Sequence, residues 1–163
     1  MRNLTFHLLL KNLGIKQIVF DERKEKNPCS LCANLRRGML NSFAKEAGCN
    51  KIALGHNQDD VLETFLLNLF YTGSINTFAP VTYLSRSDIY TIRPMIYLPE
   101  NEIRRFIKRN NISVMKKCCP QDGYTKREYM KDLIINLSKD IPPIRKSLVG
   151  AIKRNIDGWN EIS

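Results

Sequence analysis

Apolar residues recur at three- and four-residue intervals over residues 4–13, a spacing that predicts an amphipathic helix ended by Gly14. The branched, apolar run Ile15 to Phe20 reads as a short buried strand. Asp21 to Pro28 is charged and irregular, after which Leu35, Met39, Phe43, Ala44 and Ala47 resume helical spacing until Gly48. Lys51 to Leu54 is the next strand, Gly55 to Gln58 a turn, and Asp59 to Tyr71 a helix ending at Gly73. This alternation predicts an α/β domain with a parallel sheet flanked by helices, in which ligands gather at the carboxyl ends of strands. Gly55 to Asp60 lies at such an end.

Farther along, Val81 to Tyr83 and Ile89 to Ile92 are weaker strand candidates, and Pro99 marks a helix start with Ile103, Phe106 and Ile107 along it. Ile112 to Met115 reads as a strand. Tyr129, Met130, Leu133, Ile134 and Leu137 form a helical stripe of the kind that builds a core. Pro142 and Pro143 open a last helix through Asn155. No internal repeat interrupts this order.

The 163 residues suit one core, and the longest apolar run, Val61 to Phe70, is broken by Glu63, Thr64 and Asn68, far short of a membrane span of about 20 residues. No membrane association is expected. The first 13 residues lack a small-residue cleavage site after them, so a mature helix is expected there rather than a leader. Five cysteines, spaced as metal ligands rather than as disulfide staples, point to the reducing cytoplasm. The net charge of +10 is uneven: residues 101–163 hold 14 Lys/Arg against 7 Asp/Glu, which is +7 of the total. Cation pairs such as Arg104/Arg105, Lys126/Arg127 and Arg145/Lys146 suit a polyphosphate backbone, and equally suit solvated helix faces.

The chemistry concentrates in three places. Cys29-Ser-Leu-Cys32 can turn two thiolates onto one metal ion, and Cys119 is a distant third donor that a fold can bring near. A redox dithiol uses the same spacing without a third partner. Cys118 and Cys119 point to opposite sides in an extended chain, so they are not expected to ligate one metal together, although a closed four-thiolate zinc site would result if they did; Cys49 reads as a core residue. Second, Asp59 and Asp60 open a helix, where carboxylates complement the positive end of the dipole and one of them can face a nucleotide or its magnesium ion. Gly55 allows close backbone approach, and His56 is either a site residue or a packed strand end. Third, Arg36 and Arg37 can meet phosphate or RNA from the helix after the cysteine pair. No Gly-Gly or Ser-Gly-Gly phosphate loop occurs anywhere.

In combination these motifs resemble the tRNA 2-thiocytidine synthetase family and its thiouridine-forming relatives in the PP-loop ATPase superfamily. The resemblance rests on Cys29 to Gly38, on Ile52-Ala-Leu-Gly55-His56-Asn57-Gln58-Asp59-Asp60, on Asn68 to Gly73, on Arg93-Pro94, and on Cys119-Pro120-Gln-Asp122-Gly123-Tyr-Thr125-Lys126-Arg127. It implies a HUP-type sheet flanked by helices over residues 1–115, followed by a third-cysteine loop and basic helices over 116–163. It implies ATP- and Mg2+-dependent thiolation of a pyrimidine in tRNA, with sulfur from a separate donor. By position, Cys29, Cys32 and Cys119 match the ligands of an iron-sulfur (4Fe-4S) cluster, with zinc as a substitute metal. Asp60 matches the catalytic carboxylate, Arg36 the place of a catalytic lysine, and Gly55, His56 and Asp59 the nucleotide pocket.

The family's Ser-Gly-Gly-x-Asp-Ser loop precedes all of these motifs. The chain is therefore expected to be a C-terminal portion without the PP-loop, inactive alone: a truncated product, a chain partnered by a separate PP-loop-bearing polypeptide, or a remnant. A homodimer is expected to cover the edge left by the missing strand. The competing expectation is a non-catalytic RNA-binding module stabilised by zinc or a cluster.

Overall fold

The computed structural model describes residues 14, 15, 17–23, 28–114, 119 and 125–159. The helix expected over residues 4–13, and Cys118, lie outside them. The chain divides into two compact units, Met1–Phe43 and Ala44–Ser163.

In the first unit the expected strand Ile15 to Phe20 is instead a π-helical turn over Gln17–Glu22 with Val19 buried. Its wide winding shows in the bond from the Arg23 N–H to the Ile18 carbonyl, five residues back. The apolar run is short, and it pairs with no strand among the described residues. Helix α1 (Pro28–Glu46) begins with proline, whose missing N–H would be unpaired at a first helical position anyway. It ends in the second unit, where Gly48 at φ +69° lets the Gly48 and Cys49 N–H groups return to the Lys45 and Ala44 carbonyls.

The second unit holds a three-stranded sheet in the order β1 (Lys51–Ala53), β3 (Ile89–Ile92), β2 (Val81–Leu84). Strand β1 runs parallel to β3, pairing Ile52 with Thr91, while β2 runs antiparallel to β3, pairing Tyr83 with Tyr90. The α/β reading holds, with a mixed rather than wholly parallel sheet. One face carries Ile52 and Ile89, packed with Ala44 and Leu54. Residues Ile112 to Val114, expected as a strand, are exposed and outside the sheet; Asn111 at φ +50° turns the chain away after α3 (Glu100–Arg109).

The larger core surrounds α2 (Gln58–Thr72). Its Val61, Leu62, Phe65 and Leu66 pack with Met130 and Ile134 of α4 (Lys126–Asp140), Ile152 of α5 (Ile144–Asn155), and Ile96, Ile156 and Trp159. The stripe read from residues 129–137 is therefore core in its buried part, Met130 and Ile134, whereas Tyr129 faces solvent. No helix among the described residues is long and apolar enough to cross a membrane.

Candidate functional site

Parallel pairing places the carboxyl ends of β1 and β3 side by side, and the pairing runs on through a bond from the Leu54 N–H to the Ile92 carbonyl, 2.9 Å. The chain then turns at Gly55 and enters α2. Two contacts fix that entry: the Gln58 N–H donates to the Leu98 carbonyl at 3.0 Å, and the Gln58 side-chain amide reaches the Tyr97 carbonyl. Asn57 caps the helix. Its Oδ1 accepts from the Asp60 N–H at 3.2 Å, and Asp60 Oδ2 accepts in return from the Asn57 N–H at 2.9 Å. The first turn therefore holds two carboxylates in defined positions.

Their surroundings differ. Asp59 is buried, and its oxygens accept from the Glu100 N–H at 2.8 Å and from the Arg145 guanidinium, which ties α2 to the start of α3 and to α5. Asp60 is half-buried and presents Oδ1 to Arg127 of α4 at 3.3 Å. The same Arg127 nitrogen reaches Glu63 Oε2 at 3.2 Å, and its other terminal nitrogen donates to Thr64 Oγ1 at 3.0 Å. Glu63 is buried one turn along α2. Burial pushes its carboxyl up from 4.5 to about 7, against the pull of Arg127; Asp60 raises it further and Lys131 lowers it. Glu100 feels the opposite balance: burial raises it, but hydrogen bonds from Lys131 and Arg104 outweigh that and leave it below the ordinary range. Lys131 is raised in turn, chiefly by its bond to Glu100.

His56 stacks on Phe78 with ring centroids 4.7 Å apart, and the Arg93 guanidinium lies 4.9 Å from the same ring. Arg93 also donates to the Ala79 carbonyl and to Thr82 Oγ1, so it joins β3 to the loop before β2. Gly55 faces Met95, whose Cε lies 3.6 Å from where a Cβ would sit. The structure thus brings Gly55, His56, Asp59 and Asp60 together at one strand end. Arg36 lies exposed on α1, in the other unit.

The residues that organise the acidic turn, Glu63, Arg127 and Arg145, were not singled out as site residues from sequence. The cations were visible only as members of basic pairs. The one available signal for Glu63 was a carboxylate inside the apolar run Val61 to Phe70.

The expected metal centre is corrected. Cys29 and Cys32 occupy the first turn of α1, exposed and half-exposed, while Cys119 is exposed in the second unit. Among the described residues no three His, Cys, Asp or Glu side chains gather to hold a metal ion. The iron-sulfur cluster expected on these cysteines, and zinc in its place, is therefore contradicted by the described residues, which gather no such ligand group. The cofactor set expected with them, including ATP and Mg2+, has no support beyond the PP-loop homology itself.

A family model described as PP-loop domain matches residues 9–137. That overturns the expectation of a C-terminal portion without its PP-loop, and with it the reason for treating catalysis as uncertain. The chain is 41% identical over 138 residues to the tRNA-cytidine(32) 2-sulfurtransferase of Citrifermentans bemidjiense, covering 82% of this chain and 54% of that protein. It is 42% identical over 126 residues to the protein of that name from Syntrophotalea carbinolica, covering 76% and 49%. Among solved structures it is similar to the U34-tRNA thiolase NcsA from Methanococcus maripaludis with its [4Fe-4S] cluster, at a TM-score of 0.67 and 27% identity, covering 88% of this chain and 47% of that one. The chain spans about half the length of the curated relatives it matches.

Proposed function

The chain belongs to the PP-loop domain family, and from that premise we propose that it takes part in tRNA thiolation in the cytoplasm, exchanging the C2 oxygen of a cytidine for sulfur. Activation of that oxygen is the step that the PP-loop family implies. What supports cytidine as the base is the 41% identity over 138 residues to proteins named for that reaction. In this reading Asp60 is the catalytic carboxylate, half-buried at a strand end with one oxygen toward Arg127. Gly55 and His56 shape the nucleotide side of the pocket, and Asp59 holds the turn in place from its buried position. Arg36 acts from α1 as a permanent cation, which stabilises developing negative charge but does not serve as a base. A separate donor supplies the sulfur.

The test is nucleoside analysis by mass spectrometry of tRNA from a bacterium deleted for its own cytidine thiolation enzyme and expressing this chain. We expect 2-thiocytidine to return with the wild-type chain and to be lost with Asp60→Asn. A folded, tRNA-binding chain that restores none refutes the reading.

A further inference from the structure

Lys126 and Arg127 are neighbours on the first turn of α4 and reach different parts of α2. Arg127 goes to the acidic turn. Lys126 lies over the Tyr71 ring, with Nζ 4.0 Å from its centroid, and among the described residues it has no carboxylate partner. The two helices joined by this contact also expose aromatic rings: Phe70 is 57% exposed, Tyr71 50% and Tyr129 63%. Tyr129 follows Lys126 by three residues, so both occupy one helix face. None of these rings belongs to the core, which uses Leu62, Phe65 and Leu66 of α2 and Met130 and Ile134 of α4.

We propose that Tyr71 and Tyr129, with Lys126, form a stacking platform for unpaired bases of an RNA. Ring faces accept bases of any identity, and a cation beside them meets the adjoining phosphate. The proposal rests on the tRNA reading above and gives that substrate a place on the surface. Charge favours RNA as the occupant: residues 101–163 carry 14 Lys/Arg against 7 Asp/Glu, and Arg127 is already matched by carboxylates whereas Lys126 is not. Tyr71 also follows Asp60 by eleven residues on the same helix, about 16 Å along its axis. The platform and the acidic turn thus share one helix, and Arg127 offsets the carboxylate charge of that turn for a strand that reaches it. The other exposed aromatic pair, Tyr83 and Tyr90 on the sheet, differs because the Tyr83 hydroxyl donates to Asp88, whose carboxylate repels phosphate.

The experiment measures fluorescence anisotropy of a labelled tRNA and of a labelled twelve-nucleotide uridine strand with the full chain. Tyr71→Ala and Tyr129→Ala are each expected to weaken both RNAs about tenfold. Tyr90→Ala is expected to leave them unchanged, and Lys126→Ala to reduce the salt slope by about one. Unchanged Trp159 fluorescence verifies that each variant keeps its core. Equal binding by the platform variants and the wild type overturns the proposal while sparing the tRNA reading. A duplex RNA bound as tightly as the single strand overturns it too. Failure of the wild type to bind either RNA overturns both.

Discussion

Glu63 should make this protein less stable as pH rises from 4.5 to about 7. It is 5% exposed on α2, beside Asp60 and under Arg127, and its carboxyl titrates near 7 rather than at 4.5. Below pH 4.5 the group is protonated in the folded and the unfolded chain, and its burial is not penalised. Between 4.5 and 7 only the unfolded chain ionises, so stability falls with each step upward. Above 7 both ionise and the loss is complete, at about 3 kcal/mol for a shift of this size. Glu63→Gln keeps the shape and removes the titration. Urea unfolding followed by Trp159 provides the assay, because the chain has a single tryptophan and it is buried in the core that packs α2. Wild-type stability minus that of the variant is expected to drop by about 2 kcal/mol between pH 4.5 and 6, and by about 3 by pH 8.5. Whatever fixed offset the substitution introduces cancels in that comparison. A difference that stays constant across the range refutes the reasoning.

Arg145→Met should destabilise by about 3 kcal/mol, because it strands the buried Asp59 carboxylate; chemical denaturation at pH 7 measures it. Asn57→Ala removes the side-chain half of the α2 capping box and is expected to lower stability by about 1 kcal/mol in the same assay. Leu62→Ala, at a fully buried position, should lose about 3 kcal/mol by thermal or urea unfolding. Arg36→Ala, on an exposed face of α1, should leave stability within about 0.5 kcal/mol while abolishing 2-thiocytidine formation in the deletion strain.

Local signals carried much of the fold. Helix α2 was legible because two carboxylates open it and Gly73, at φ +66°, ends it, whereas the Asn57 cap was not read. Proline and glycine marked α1, α3 and α5 for the same kind of reason. Ile15 to Phe20 and Ile112 to Val114 misled, since branched apolar residues fit a strand only where a neighbouring strand offers hydrogen bonds. In the site, the strand-end cluster of Gly55, His56, Asp59 and Asp60 was legible, because one short stretch encodes all four. Arg127 and Arg145 stand 67 and 86 residues from the carboxylates they meet, and no local pattern reports such a pairing. The cysteine reading failed for a related reason: spacing within Cys29 to Cys32 sets up two thiols, but the third depends on long-range packing that the spacing does not encode.

The packing around α2 also shapes how the protein is made. Leu62 and Leu66 find Ile152, Ile156 and Trp159 only after roughly 90 further residues have been polymerised, on the order of 5–20 s on a ribosome. During that interval the apolar stripe of the emerging helix is only partly covered, by Met130 and Ile134 once α4 has been made. Slower translation through α4 and α5 would lengthen the exposure and should reduce soluble yield.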